Sequence, residues 1–186
     1  DLNSELETIR HSPNNGGRLE AIVVRPARDA RTELEVCRLE VGIGAVGDYW
    51  ASQHPATGTP ALAGMENPAE TETQLALMNS RAADAVAGSR DRWALAGDQL
   101  YVDFDLSRTN LQPGDRLRLG GAVLEVTSMP HMGCRKFAER FGAAALAWVN
   151  SDEGRQLHLR GIYVRVLRGG EVRVGDHIQK LADRKF

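Results

Sequence analysis

The stretch Arg116-Leu117-Arg118-Leu119-Gly120-Gly121-Ala122-Val123-Leu124-Glu125-Val126 consists of two short runs joined by a glycine pair. Alternation at period two marks a strand, and two glycines between such runs predict a tight hairpin. Just upstream, Leu100, Val102, Phe104 and Leu106 alternate with Tyr101, Asp103, Asp105 and Ser107, which predicts a half-buried strand. Downstream, residues 157–167 and Val172-Arg173-Val174 flank Arg168-Gly169-Gly170-Glu171 and predict a second hairpin. Toward the N-terminus, Leu19-Glu20-Ala21-Ile22-Val23-Val24-Arg25 is rich in β-branched residues and stopped by Pro26. Residues 34–41 alternate with neither face purely apolar, as an edge strand does, and residues 74–78 predict a short strand. Asn79 or Ser80 can cap a helix that ends at Gly88. From Lys136 the period turns helical: Phe137, Phe141, Ala144/Ala145 and Trp148 share one stripe, which ends near Asn150. Pro113-Gly114-Asp115-Arg116-Leu117 is echoed by Val174-Gly175-Asp176-His177-Ile178, which predicts the same turn leading into two strands. Regular strand–helix alternation is absent. The sum predicts a mainly β, α+β fold: a small β-barrel with two or three peripheral helices.

The chain has 186 residues, enough for one domain with a sizeable core. Residues 1–17 read as an N-terminal tail ending in Asn14-Asn15-Gly16-Gly17, and 18–186 as a single domain. Residues 51–70, with five prolines and glycines spread through them, read as one long irregular loop. Lys+Arg is 23 and Asp+Glu is 25, a net charge of −2, so whole-molecule charge does not capture nucleic acid or an anionic membrane. No apolar run approaches the ~20 residues of a membrane span. The two cysteines, Cys37 and Cys134, are far apart and form no CxxC, so a reducing, cytoplasmic setting is expected.

Cys134 is the residue most suited to chemistry. It lies in Met129-Pro130-His131-Met132-Gly133-Cys134-Arg135-Lys136, after a strand and before a helix. A thiol at a helix start feels the positive end of the dipole, and Arg135 and Lys136 add charge; both favour the thiolate, the form that attacks and ligates. A free cysteine can equally be a small buried hydrophobe, which is the reading for Cys37. His131 is three residues earlier, yet no second His/Cys pair completes a zinc site, so His131 reads as lining a pocket. Asp98 and the pair Asp103/Asp105 could serve as acid–base groups, although a solvated face suits the pair better. Gly42-Ile43-Gly44-Ala45-Val46-Gly47 loosely fits GxGxxG but does not run into a helix, so it fails as a dinucleotide site.

Taken in order, Val46-Gly47-Asp48, Gly97-Asp98-Gln99-Leu100, Leu106-Ser107, Pro113-Gly114-Asp115-Arg116-Leu117, residues 122–126, residues 130–134, residues 160–166 and Val174-Gly175-Asp176 resemble the MOSC domain, the C-terminal domain of molybdenum-cofactor sulfurase. The likeness spans about residues 18–180. It implies a MOSC-type barrel and makes Cys134 the family cysteine, either a persulfide-bearing sulfur carrier or the thiolate ligand of molybdenum in the pterin cofactor. Cofactor-binding relatives reduce N-hydroxylated compounds. The resemblance thus implies an oxidoreductase that binds molybdenum cofactor (molybdopterin) and a small-molecule substrate, with electrons from a separate protein. Two alternatives stand beside it: sulfur transfer by Cys134 without molybdenum, fed by a sulfur-donor protein, and non-catalytic cofactor delivery. Arg108, Arg135, Lys136 and Arg160 are candidate phosphate donors, and Asp98, Asn110 and His131 candidate pocket residues. The His-Gly-Gly-Pro-Asp segment of some relatives is absent.

Overall fold

The computed structural model describes residues 1–53 and 72–182. Its strands are β1 (Gly17–Val24), β2 (Thr32–Leu34), β3 (Val36–Glu40), β4 (Gly44–Ala45), β5 (Leu75–Asn79), β6 (Leu100–Asp103), β7 (Arg116–Leu119), β8 (Ala122–Val126), β9 (Ile162–Arg168), β10 (Gly170–Arg173) and β11 (His177–Lys180). Seven of them, in the order β1-β11-β7-β8-β9-β5-β6, close into a barrel because β11 also pairs with β1. Strands β10, β3 and β4 form a separate small sheet, and β2 extends the barrel sheet beyond β1. Only β5 and β6 run parallel within the barrel, and a parallel pair needs a crossover. The helix Ser80–Ala87 between them supplies it.

The α-helical segments among the described residues are α1 (Leu6–Arg10), α2 (Trp50–Gln53), α3 (Ser80–Ala87), α4 (Arg135–Phe141), α5 (Ala143–Asn150) and α6 (Asp152–Gln156). Asn79 caps α3 as the sequence predicts: its side chain accepts from the amides of Arg81 and Ala82, and Gly88 ends the helix in the left-handed region.

Two apolar layers follow from the strand period. Leu19, Ile22, Leu75, Leu77, Leu100, Leu117, Leu124 and Val164 belong to the barrel core. Ala21, Val23, Met78 and Tyr101 face the other way and pack with α3, α4 and α5. A register shift between Leu19 and Ala21 lets β1 serve both layers. Tyr101 is therefore buried too, and β6 is covered on both faces; the crossover helix covers the side that alternation alone assigned to solvent. Asp103 is held by Arg81 at 2.8 Å, and Asp105 accepts from the Ser107 amide, so both carboxylates have structural partners.

The first predicted hairpin forms, with Leu119 opposite Ala122. The second does not. Strand β9 pairs with β8 and β5, while β10 crosses over to pair with β3. Gly169 and Gly170 are what allow it: a Cβ on Gly170 would lie 2.2 Å from the Gly121 carbonyl oxygen, and one on Gly169 2.8 Å from that of Leu39. The glycine pair thus permits close passage of backbone, not a tight return. The echoed Gly-Asp turns are alike in structure. Asp115 accepts from the Gln112 amide and Asp176 from the Arg173 amide, each at 2.8 Å, and β7 and β11 start at the next residue.

Three further expectations are corrected. Residues 1–17 are not a plain tail: Leu2–Glu5 is a 3-10 turn, α1 follows, and Leu6 and Ile9 are buried against α3. Residues 34–41 split at Glu35 between two sheets, and β3 is the central strand of the smaller one, with Cys37 and Leu39 buried. The long helical stripe is broken at Gly142, whose backbone (φ +93°) leaves the helical region, yet Phe137, Ala145 and Trp148 still share one core. Of the predicted loop 51–70, residues 51–53 belong to α2, and 54–70 lie outside the described residues.

Candidate functional site

Asp98 anchors the site. The preceding Gly97 ends a 3-10 turn (Arg90–Ala96) in the left-handed region and turns the chain so that Asp98 enters the interior ahead of β6. The side chain is fully buried. One carboxylate oxygen lies 2.9 Å from His131 Nε2 and the other 2.6 Å from an Arg160 terminal nitrogen. The second terminal nitrogen of Arg160 donates to the Ala96 carbonyl at 2.9 Å, and its guanidinium lies over the Phe137 ring. Arg160 Nε is buried and without a hydrogen-bond partner among the described residues.

Burial pushes the Asp98 carboxyl up, but the charge of Arg160 and the hydrogen bond from His131 outweigh it and hold the group below its ordinary value. Burial and the charge of Arg160 lower His131, against the opposing pull of Asp98. An ionised Asp98 beside a neutral His131 assigns the ring proton to Nε2. Nδ1 is left as an acceptor with no protein partner among the described residues. The imidazole also stacks on Tyr163, 4.3 Å between centroids.

The loop carrying His131 and Cys134 is pinned from below. Asn150, at the end of α5, accepts from the Gly133 amide at 2.9 Å and donates to the Gly133 carbonyl at 3.0 Å. A Cβ on Gly133 would meet Leu146 at 2.8 Å and Val149 at 2.9 Å, so only glycine lets the loop lie this close to α5. Cys134 then caps α4 through its carbonyl, which accepts from the Phe137 and Ala138 amides. Its thiol is free and exposed. Asn150→Ala removes both bonds to Gly133, each worth about 1 kcal/mol. Hydrogen exchange at the Gly133 amide should then rise about five- to thirtyfold, for the loss of one or both bonds, with the barrel amides unchanged; equal exchange in both proteins would contradict the pinning role.

Cys134 opens on a cleft of about 450 Å³. Among the described residues six cations line it, Arg25, Arg28, Arg31, Lys136, Arg140 and Arg160, with Asp29 as the one carboxylate in its wall. Asp29 meets Arg140 at 3.6 Å and Lys136 at 3.7 Å. Arg25 is fixed by the buried Asp48 of the Gly47-Asp48 turn, which takes two guanidinium bonds and the Arg25 amide. Among the described residues Arg31 hydrogen-bonds only to carbonyls, those of Ala94 and Ala30, and burial together with the charges of Arg140 and Arg25 holds it below its ordinary value. Positive charge is in excess here, as an anion-binding cleft requires.

Of the residues singled out from sequence, the structure brings Cys134, His131, Lys136 and Arg160 to this cleft and sets Asp98 behind its wall. Arg135 points away: its side chain is 90% exposed and pairs with Glu139. Asn110 ties Asn14 and Asp105 together far along the chain and accepts from Lys180. Arg108 lines a second cavity. Arg25, Arg31, Arg140 and Asn150 fall in none of the motifs read from sequence; the fold brings Arg25 and Arg31 to the site from the loop after β1, Arg140 from α4, Asn150 from the end of α5 and Tyr163 from β9. Cys37 is buried, and burial raises its thiol, which suits an inert core position.

A closed seven-stranded barrel with a Gly-Asp turn behind its cysteine loop defines a MOSC-type domain. The chain belongs to the MOSC domain family, whose model matches residues 69–179, more than half of the chain. The family is associated with molybdenum cofactor binding. The fold is similar to YuaD from Bacillus subtilis (16% identity, TM-score 0.61, covering 88% of this chain and 94% of that one). It is also similar to YiiM from Escherichia coli (17%, 0.54, covering 89% and 70%) and from Geobacillus stearothermophilus (15%, 0.57, covering 89% and 75%). No curated protein matches this chain significantly in sequence. Among the described residues no helix is long and apolar enough to cross a membrane.

Proposed function

We propose that this protein binds molybdenum cofactor through Cys134 and reduces N-hydroxylated small molecules with electrons from a separate donor protein. The observation that carries the reading is an exposed, unpartnered thiol at the edge of a cation-rich cleft, backed by the buried Asp98–His131–Arg160 cluster. The donor set fits the group. A thiolate is a soft ligand suited to molybdenum. Arg31, Lys136 and Arg140 offer charge-assisted hydrogen bonds to the pterin phosphate, in competition with Asp29.

When bound, the cofactor supplies two-electron chemistry at a metal able to take an oxygen atom. The overall reaction breaks the N–O bond, consumes two electrons and two protons, and releases water. His131 is the chain's own proton-handling group, since Asp98 fixes its tautomer and leaves Nδ1 to accept and release a proton. Tyr163 holds the ring by stacking, and Arg160 keeps Asp98 ionised. The test is anaerobic conversion of benzamidoxime to benzamidine by cofactor-loaded protein, with reduced viologen as donor. Steady amidine formation is expected; loaded protein that forms none contradicts the reductase reading.

A further inference from the structure

A second cavity, of about 270 Å³, lies on the other side of the His131–Arg160 wall. Leu111, Val126 and Ile162, all barrel-core residues, line its apolar part, so it opens from the end of the barrel interior. Its polar part is cationic: among the described residues Arg108, Arg155 and Arg160 line it, and no Asp or Glu does. Arg108 makes no side-chain ion pair or hydrogen bond among the described residues, and Arg155 meets only the exposed Asp152 at 3.9 Å, beside its bond to the Asn150 carbonyl. Arg160, 8% exposed, contributes the buried Nε that has no partner. His158 lines the same space with its backbone in the left-handed region (φ +49°), where non-glycine residues are uncommon; its Nδ1 is tied to the Leu106 carbonyl at 2.7 Å.

We propose that this cavity is a binding site for a small monocarboxylate with an apolar body, separate from the Cys134 cleft. Arg108 has no counter-charge among the described residues, Arg155 has only the exposed Asp152 at 3.9 Å, and Arg160, paired with Asp98 through a terminal nitrogen, still holds an unpartnered Nε; this excess of guanidinium donors selects an anion, and a planar carboxylate fits a guanidinium fork. The apolar lining disfavours a strongly hydrated dianion, whose desolvation costs more. The volume limits the body to about the size of a single ring, since it lies just under the usual range of roughly 300–1,000 Å³. Because His131 and Arg160 line both spaces, the ligand sits against the wall that backs Cys134.

Benzoate is a suitable probe and benzamide its uncharged control, titrated calorimetrically and by NMR into the full chain. Saturable benzoate binding with a Kd on the order of 1 mM is expected. Benzamide should bind at least about fivefold more weakly, and Arg108→Gln, a substitution at an exposed position, should weaken benzoate by a similar factor. Cys134→Ala should leave benzoate binding unchanged, which separates this site from the cofactor reading. Equal affinity for benzamide, no saturable binding, or binding lost in Cys134→Ala but kept in Arg108→Gln would overturn the proposal.

Discussion

Cys134→Ala should lower turnover at least about 100-fold while leaving the thermal midpoint within about 2 °C of wild type. The thiol is exposed and belongs to neither apolar cluster, so its removal costs the fold little. What caps α4 is the Cys134 carbonyl, which alanine keeps. Cys37→Ala should show the opposite pattern. That side chain is 4% exposed in the barrel core, so truncation costs about 1 kcal/mol of stability and little activity. Comparable turnover in Cys134→Ala and wild type would contradict the role assigned to this thiol, as would a large loss in Cys37→Ala.

Asp98→Ala should be the most destabilising single change at the site. It leaves the Arg160 guanidinium buried against Phe137 without its counter-charge and removes the hydrogen-bond partner of His131 Nε2. Breaking a buried pair from one side costs about 3–5 kcal/mol, which in a domain of this size lowers the thermal midpoint by about 10 °C. The pH dependence has a definite sign. Asp98 is held below its ordinary 3.8, so its contribution is complete above about pH 3.8 and is lost as pH falls through the lower folded value. His131 is lowered from 6.5, so the unfolded chain takes up its proton first, and stability declines as pH drops from about 6.5 toward the folded value. His158, also lowered, acts over the same range, so His131→Gln should reduce this decline and not abolish it. Denaturant melts between pH 7 and pH 5 measure it; an identical slope in His131→Gln would mean His131 is not buried neutral.

The barrel was legible where a strand's two faces differ. Residues 116–126 alternate and carry their own turn, so the sequence alone specifies β7 and β8. Residues 157–174 misled because two glycines signal a tight return and close passage equally well, and only the position of β3 decides between them. Tyr101 reads as half-exposed from alternation, but a crossover helix lies on that face. The site divides the same way. Cys134 and His131 share one loop, and their chemistry shows in the local sequence. Asp98 stands out in its Gly-Asp motif, but its pairing with Arg160, 62 positions later, depends on how the barrel closes. Arg25 and Arg31 belong to a loop after β1 and meet Lys136 and Arg140 only in three dimensions. Arg108 and Asn110 show the converse: suitable residue types near the motif that closure carries elsewhere.

The most direct test of the central claim is molybdenum content per chain, measured after anaerobic purification from cells that make the cofactor, for wild type beside Cys134→Ala. The account predicts close to one molybdenum per wild-type chain and almost none in the variant. Metal-free protein in both, above all with a persulfide on Cys134 of the wild type, would contradict cofactor ligation and make sulfur transfer the better description of this thiol.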